Sequence, residues 1–222
     1  VPAYLINLGE RVRLLKNLGV DLIAIISFTS EVAHIKARQF IELLQEHLKM
    51  KGLIIGPDFA LGRGREGNAA VLRELGMKMG FTVDVVSPMM MDSEAISSTL
   101  IRNALAKGNM SKANKLLGRY FALSGRITTG TQRGETLGFP TANLEQEGAQ
   151  ALPADGVYAT IAHINDRSYD AVTNIGRRPT FGEGERTVET HLINFEDVLY
   201  GEELTVEFME RLRDEQHFST PE

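Results

Sequence analysis

The segment Leu137–Asn143 carries two oxygen-bearing side chains directly after a proline. Pro140 fixes its own φ and removes a backbone donor, so an extended segment is predicted to begin there. Side chains two residues apart on a strand point to the same face, which places the Thr141 hydroxyl beside the Asn143 carboxamide. Mg2+ binds hard oxygen ligands and keeps several waters, so this pair suits a magnesium site. A local turn bonded by the same two side chains is the alternative.

A single carboxylate, Glu189, lies in a second strand-like segment, Thr187–Leu192. Its side chain is predicted to share a face with His191 and to oppose the apolar Val188. A lone strand carboxylate is usually a solvated surface group, but residues 119–222 offer no better candidate for a base. Two neutral oxygen ligands and one carboxylate suit magnesium-assisted phosphoryl transfer to a hydroxyl, with Glu189 as the general base.

Two glycine-rich segments are candidate phosphate loops. The run Gly62–Gly67 matches G-x-G-x-x-G, and Asp84 lies near the offset of a ribose-binding acid. The first glycine comes six residues after the predicted strand end at Gly56, where a dinucleotide fold requires an immediate turn. We therefore expect a Gly/Arg loop at the carboxyl edge of a sheet, with a dinucleotide site or a plain surface loop as alternatives. The second segment, Gly130–Gly134, is either a lid over phosphates or a hairpin turn.

The segment Ile96–Arg102 offers an anion site of another kind. The hydroxyls of Ser97, Ser98 and Thr99 stand at a predicted helix start, and Arg102 follows one turn later on the same face. Backbone N–H groups, the helix dipole and a guanidinium together attract phosphate. An N-cap with a nearby surface arginine is the alternative, although a cap needs only one hydroxyl.

Composition narrows the environment and the partners. The 222 residues include no cysteine, which excludes disulfides and Cys-based zinc sites and fits a cytoplasmic location. No apolar run approaches the ~18–20 residues that span a bilayer, so we expect no membrane partner. The formal charge of −5 combines +4 on residues 1–118 with −9 on residues 119–222, where every basic residue is Arg. The acidic second half argues against nucleic acid, and phosphate chemistry there needs a metal, backbone N–H groups or Arg.

Residues 1–118 alternate helical and strand patterns, which predicts a parallel sheet with helices on both faces. The predicted helices cover 10–18, 32–48, 68–79, 96–107 and 111–117, and the predicted strands cover 21–27, 53–56 and 81–86. Asn68 is expected to cap the third helix and Gly80 to end it. Three strands are few for such a sheet and the first residue is Val1, so we expect the first βα unit to be absent from these residues.

Residues 119–222 show short strand patterns separated by Gly, Pro and Asp turn signals, which predicts a small antiparallel barrel or sandwich. The predicted strands cover 121–129, 157–164, 169–174, 187–195 and 204–208. The change of pattern predicts two domains, 1–118 and 119–222.

Taken in order, these motifs resemble the bacterial bifunctional riboflavin kinase/FMN adenylyltransferase (FAD synthetase) family. The motifs that carry the resemblance are Ile55–Arg65, Ile96–Thr99, Gly138–Asn143, Gly156–Ala159, Asn174–Phe181, Val188–His191 and Leu199–Gly201. The resemblance implies a Rossmann-like nucleotidyltransferase domain followed by a β-barrel kinase. The barrel would transfer the γ-phosphoryl of ATP to the ribityl 5′-hydroxyl of riboflavin, giving FMN. The first domain would join AMP from ATP to FMN, giving FAD and pyrophosphate.

The resemblance also implies roles for individual residues, with Mg2+ as the metal and ATP as co-substrate. The kinase residues are Glu189 as catalytic base, Thr141 and Asn143 as Mg–ATP ligands, Gly130, Arg133 and Gly134 in the nucleotide loop, and Arg213 and Phe218 in the flavin loop. The adenylyltransferase residues are Asp58 in the flavin/nucleotide loop and Ser97, Ser98, Thr99 and Arg102 in the ATP phosphate motif.

Three departures from the family pattern set further expectations. The family's His-x-Gly-His element does not occur in the 222 residues, so we expect this polypeptide not to make FAD. Glu135 stands where the family more often has Arg, which predicts weaker ATP binding that Glu135→Arg would strengthen. The residues end at Glu222, before the C-terminal helix that the family places behind the flavin site, which bears on kinase activity in this form.

Two other classes of function remain open beside flavin cofactor synthesis, which is the leading interpretation. A dinucleotide-dependent oxidoreductase would use the glycines of Gly62–Gly67 and would bind NAD(P). A barrel that only binds flavin would show no ATP turnover and would lose nothing in Glu189→Gln.

Overall fold

The computed structural model describes residues 2–128, 141–145, 148–165, 167–177, 186–195 and 201–215. The helices in these ranges are α1 (Leu8–Asn17), α2 (Ser30–His34), α3 (Ala37–Leu48), α4 (Ala69–Met79), α5 (Ser98–Ala106) and α6 (Met110–Leu117). The strands are β1 (Gly52–Ile55), β2 (Ala60–Leu61), β3 (Gly67–Asn68), β4 (Thr82–Val85), β5 (Met90–Met91), β6 (Glu94–Ala95), β7 (Phe121–Thr128), β8 (Ala142–Leu144), β9 (Gly156–Ile164), β10 (Arg167–Arg177), β11 (Arg186–Leu192) and β12 (Glu203–Arg213).

The chain divides into two compact units, Asp21–Ile96 on the one hand and Val1–Val20 with Ser97–Glu222 on the other. Helices α5 and α6 therefore group with the strands β7–β12, although they precede residue 118. The side chain of Asn114 on α6 is one reason, because it accepts a hydrogen bond from the Phe121 N–H at 2.8 Å and donates to the Phe208 carbonyl at 2.9 Å. These bonds tie α6 to β7 and β12. The domain limit at 118 stays a prediction.

In the unit Asp21–Ile96, β1 and β4 form a parallel pair, as the alternating pattern predicts. Helices α3 and α4 and this sheet share a buried core of Ile41, Ile55, Leu72 and Phe81. Helix α4 begins after Asn68, whose side-chain oxygen accepts from the backbone N–H groups of Ala70 and Val71. It ends at Gly80 in the left-handed conformation, with φ +76°. Both ends agree with the sequence prediction.

Two predictions for this unit are wrong. The apolar run Asp21–Ser27 forms no strand. Leu22 within the run is 70% exposed, and Phe28 directly after it is 83% exposed. A continuous apolar run predicts burial but cannot supply a pairing partner, and none of the strands in the described residues pairs with this run. The single helix predicted over residues 32–48 is instead α2 and α3, because Lys36 between them is extended (φ −70°, ψ 153°).

The other unit contains a closed barrel whose described strands follow the order β10-β11-β8-β7-β12-β9. Neighbouring strands are antiparallel throughout. Buried and less buried residues alternate along β9 and along most of β11, as expected when one face of a strand lines a barrel interior. The structure thus agrees with the barrel and not with the sandwich that the sequence left open.

Aromatic rings form much of the barrel core. Phe208 lies edge-on to Tyr158 with ring centroids 5.3 Å apart and packs against Phe121 at 6.1 Å. All three residues have 0% exposed surface. Burial raises the pKa of the Tyr158 phenol, and its hydroxyl donates to the Ala154 carbonyl at 2.5 Å. Tyr158 of the Gly156–Ala159 motif is therefore a core residue of the barrel.

We expect Phe208→Ala to lower the free energy of unfolding by about 3–5 kcal/mol, because it removes a fully buried ring that contacts two others and leaves a cavity. Urea denaturation measures the change. Met209→Ala is the matched control, since its side chain is 38% exposed on the next residue of the same strand. A loss below about 1 kcal/mol for Phe208→Ala would contradict the assignment of this cluster as the barrel core.

Candidate functional site

Strand pairing places several candidate residues in one row across the barrel. In antiparallel pairs, directly opposite residues share a face, with Cβ atoms about 4.5–5.5 Å apart. Asn143 on β8 lies opposite Glu189 on β11, and Glu189 lies opposite Asn174 on β10. Asn174 lies opposite Val157 on β9, and Val157 lies opposite Arg213 on β12. We call these five residues the outer row.

The buried neighbours show that the outer row faces away from the barrel interior. Val188 and Thr190 flank Glu189 in sequence and are 1% and 0% exposed, whereas Glu189 is half-buried. Inside the barrel, the hydroxyls of Thr160, Thr173 and Thr190 form a chain with O···O distances of 2.9 and 3.0 Å. These bonds join β9, β10 and β11 and hold the register that places the outer row.

A pocket of about 290 Å³ opens on the outer row. Its lining residues are Thr141, Val157, Val172, Asn174, Glu189, Arg213 and Glu215. Three residues predicted from sequence, Thr141, Glu189 and Arg213, therefore line one pocket. Asn143 is 9% exposed and lies next to Glu189 in the strand register.

This arrangement combines three chemical capacities. The Glu189 carboxylate can accept a proton from an alcohol that enters the pocket. Mg2+ is commonly held by one or two protein oxygens together with substrate phosphates and water, and Thr141 and Asn143 offer such oxygens beside that carboxylate. The Arg213 guanidinium supplies a permanent positive charge suited to a phosphate or another anion. The residues present therefore fit a magnesium-dependent phosphoryl transfer.

Charged side chains fix the end of the barrel where the pocket lies. The Arg186 guanidinium donates to the Asp155 carboxylate at 2.7 Å, and Arg211 donates to the Asp155 carbonyl. Gly156 follows with φ +153°, and a Cβ at this position would lie 2.7 Å from the Arg213 carbonyl. Glycine therefore permits the close approach of β9 and β12, the strands that supply one wall of the pocket. Sequence patterns gave no sign of these contacts.

The hydroxyl residues at the start of α5 were considered as a helix N-cap or as part of an anion site. Ser97 is the N-cap, and its hydroxyl accepts from the Leu100 N–H at 3.2 Å. Arg102 donates to the Thr99 hydroxyl at 3.3 Å, so these two side chains lie together as expected. Ser98 and Arg102 line a separate pocket of about 360 Å³. An anion site at this position stays a prediction.

The glycine motif Gly62–Gly67 lies in a hairpin. Strands β2 and β3 pair across it, and Arg63–Arg65 form a 3-10 turn between them. Helix α4 begins only after β3, so the motif does not join a strand to a helix, which the dinucleotide fingerprint requires. Asp58 precedes the hairpin and is exposed, and its carbonyl accepts from the Arg65 guanidinium at 2.8 Å. The hairpin argues against the oxidoreductase alternative.

Several predicted residues lie outside the described residues. They are Gly130, Arg133, Gly134, Glu135 and Phe218. The predictions made for the nucleotide loop and for Phe218 of the flavin loop stay predictions.

Four lining residues of the pocket, Val157, Val172, Asn174 and Glu215, were not singled out from sequence as site residues. Asn174 opens the Asn174–Phe181 motif, but no role was assigned to it. The alternation of buried residues along β10 indicates its face, whereas its position beside Glu189 depends on which strand pairs with β10. No local sequence signal supplies that pairing.

Two family models match the chain, one described as riboflavin kinase over residues 117–222 and one described as FAD synthetase over residues 1–100. The bifunctional riboflavin kinase/FMN adenylyltransferase of Escherichia coli strain K12 is 38% identical, with 99% of this chain and 70% of the relative covered. The protein of the same name from Haemophilus influenzae is 36% identical, with 98% of this chain and 71% of the relative covered.

A solved structure described as a macrolide-efflux protein from Streptococcus pneumoniae has a TM-score of 0.87 and 32% identity to this chain, covering 98% of this chain and 70% of its own. It supports the fold described above, although its description differs from the names of the curated relatives. Within the described ranges, no helix has the length and apolar character needed to cross a membrane. From the two family models and the curated relatives, the chain belongs to the bifunctional riboflavin kinase/FMN adenylyltransferase family, whose members are transferases of flavin biosynthesis.

Proposed function

We propose that the barrel phosphorylates riboflavin to FMN with ATP. The observation that carries this proposal is the outer row, in which Glu189 stands between two carboxamides and shares a pocket with Thr141 and Arg213. Phosphoryl transfer depends mainly on positioning and on neutralising charge, and it needs a group that orients or deprotonates the alcohol. A carboxylate beside neutral oxygen ligands meets these needs.

In this proposal Glu189 accepts the proton of the ribityl 5′-hydroxyl as that oxygen bonds to the γ-phosphorus of ATP. The bond from the γ-phosphorus to the bridging oxygen breaks, and ADP leaves. Thr141 and Asn143 hold Mg2+, which when bound neutralises phosphate charge. From the resemblance of the motifs, we assign Arg213 and Phe218 to flavin binding and Gly130, Arg133 and Gly134 to nucleotide binding.

We assign the second reaction, the adenylylation of FMN to FAD, to residues 1–118 and the kinase to residues 119–222, and we expect the adenylylation not to proceed in the 222-residue polypeptide because it contains no His-x-Gly-His element. The residues proposed to bind its substrates are Asp58, Ser97, Ser98, Thr99 and Arg102. The contact between Arg102 and Thr99 supports a shared role in binding phosphate, since the hydroxyl and guanidinium stand on one face of α5. We further propose a cytoplasmic enzyme whose partners are its small-molecule substrates, with no nucleic acid or membrane.

The test of the kinase proposal is an assay of the purified chain with riboflavin, ATP and Mg2+, followed by separation of flavins and nucleotides. We expect FMN and ADP in equal amounts, and we expect their formation to stop when a chelator removes the metal. Flavin binding without ADP formation would favour a barrel that only binds flavin. Binding of NAD(P) without FMN formation would favour the oxidoreductase alternative.

We expect the 222-residue polypeptide to form no FAD from FMN and ATP, because it contains no His-x-Gly-His element. The assay follows FAD by its chromatographic separation from FMN, with the Escherichia coli relative as the positive control. FAD formation by the purified polypeptide at a rate near that of the control would contradict this expectation. The result is independent of the kinase proposal, because FMN is supplied.

A further inference from the structure

Asn174 occupies the centre of the outer row, directly opposite Glu189 on one side and Val157 on the other. It also lines the pocket that contains Thr141 and Glu189. Its neighbours along β10, Thr173 and Ile175, are both 0% exposed inside the barrel, so the Asn174 side chain stands on the outer face. The carboxamide is therefore beside the proposed base and borders the same space.

The Asn174 carboxamide is available to a ligand. Among the residues that the structure describes, it takes part in none of the side-chain hydrogen bonds, whereas the neighbouring Asn143 and Glu189 each have an interaction. A carboxamide carries two N–H donors and one carbonyl acceptor. A half-buried group of this kind gains most from a partner that both donates and accepts hydrogen bonds.

The other side chains of the pocket are suited to different partners. Val157 and Val172 are apolar, the Arg213 guanidinium only donates, and the Glu215 carboxylate, when ionised, only accepts. Thr141 is already assigned to the metal in the proposed function. Among the described residues that line the pocket, Asn174 is the one beside Glu189 whose neutral side chain both donates and accepts hydrogen bonds.

We infer that Asn174 binds the hydroxyl-bearing chain of the flavin substrate and thereby turns its terminal hydroxyl toward Glu189. The inference rests on the proposed kinase function and assigns this part of the pocket to a polyol. Neighbouring hydroxyls of a polyol each donate and accept, so one can bond the Asn174 carboxamide while the terminal one meets the Glu189 carboxylate. Asn174 would then determine specificity for acceptors that carry a polyol chain.

The test compares the binding of riboflavin with that of lumiflavin, a flavin that lacks the polyol chain, by quenching of flavin fluorescence. We expect Asn174→Ala to weaken riboflavin binding by about 5- to 10-fold, the scale of one neutral hydrogen bond, and to leave lumiflavin binding unchanged. The Michaelis constant for ATP stays at the wild-type value. Asn174→Ser keeps one donor and acceptor, and we expect it to weaken riboflavin binding by less.

Asp170→Ala is the matched control, because Asp170 lies on the same face of β10 and does not line the pocket. Equal weakening of riboflavin and lumiflavin by Asn174→Ala would overturn the inference, as would unchanged riboflavin binding or a raised Michaelis constant for ATP. Because fluorescence reports binding without turnover, the comparison of riboflavin with lumiflavin can be made even if no FMN is formed. If Glu189→Gln loses turnover while Asn174→Ala binds riboflavin normally, only the inference about Asn174 is contradicted. If the wild type forms no FMN, the proposed kinase function is contradicted.

Discussion

Glu189→Gln is expected to lower the turnover number for riboflavin phosphorylation by about 10²-fold or more, the usual scale for loss of a general base. Glutamine has nearly the same shape as glutamate but cannot accept the proton of the attacking hydroxyl. The outer row leaves the side chain in place, since its position follows from the pairing of β11 with β8 and β10. Riboflavin affinity is therefore expected to stay within about twofold of wild type, because only the proton-accepting group is lost.

The measurement combines steady-state kinetics with a fluorescence titration of riboflavin. Glu203→Gln is the control, because Glu203 is an exposed carboxylate at the first residue of β12, whereas Arg213 is the last residue of that strand. It is expected to behave as wild type. A Glu189→Gln protein that keeps more than half of the wild-type turnover would remove the base from the mechanism and would favour a barrel that only binds flavin.

Asn143→Ala and Thr141→Ala form the second prediction of large effect. Each removes one proposed oxygen ligand, and we expect the Mg2+ concentration for half-maximal kinase activity to rise by at least about 10- to 100-fold, because that loss is typical even for residues that only support a metal ligand. Asn143→Asp keeps an oxygen at the same position, so we expect it to restore much of the metal affinity. Titration of activity with Mg2+ at saturating ATP measures the effect.

A control is needed because Asn143 is 9% exposed and its replacement can also disturb packing. Asn103→Ala gives the effect of the same substitution at an exposed amide on α5, away from the site. The thermal midpoint of each variant separates unfolding from loss of metal. If activity falls in Asn143→Ala at every Mg2+ concentration without a shift of the titration curve, Asn143 is not a metal ligand.

Local patterns in the sequence predicted many of the elements. The bounds of α4 agree because its ends have local causes, the Asn68 cap and the left-handed Gly80. Five of the six described barrel strands were likewise found from alternating or apolar runs and the turn residues between them, whereas β8 was expected only as an extended segment after Pro140. The apolar run Asp21–Ser27 was mistaken for a strand because hydrophobicity indicates burial, whereas a strand also needs a neighbour to pair with.

For the candidate site too, local patterns identified the residues but not the strand pairing that brings them together. Thr141, Asn143 and Glu189 were identified from residue type, spacing and the resemblance of their motifs. Their common position depends on the pairing of β8 with β11, whose paired residues lie 46 and 48 positions apart along the chain, and no local pattern specifies that pairing. The role inferred for Asn174 could be recognised only once the register placed it opposite Glu189.

The central claim is that Thr141 and Asn143 hold a divalent cation on the outer face of the barrel while Glu189 meets the acceptor hydroxyl beside it. The most direct test is a crystal structure with Mn2+, ADP and riboflavin, in which anomalous scattering locates the cation. We predict one cation about 2 Å from the Thr141 hydroxyl and from the side-chain amide oxygen of Asn143. We also predict the ribityl 5′-hydroxyl within hydrogen-bond distance, about 2.6–3.2 Å, of the Glu189 carboxylate. A cation bound elsewhere, or a Glu189 carboxylate that faces away from the hydroxyl, would contradict the claim.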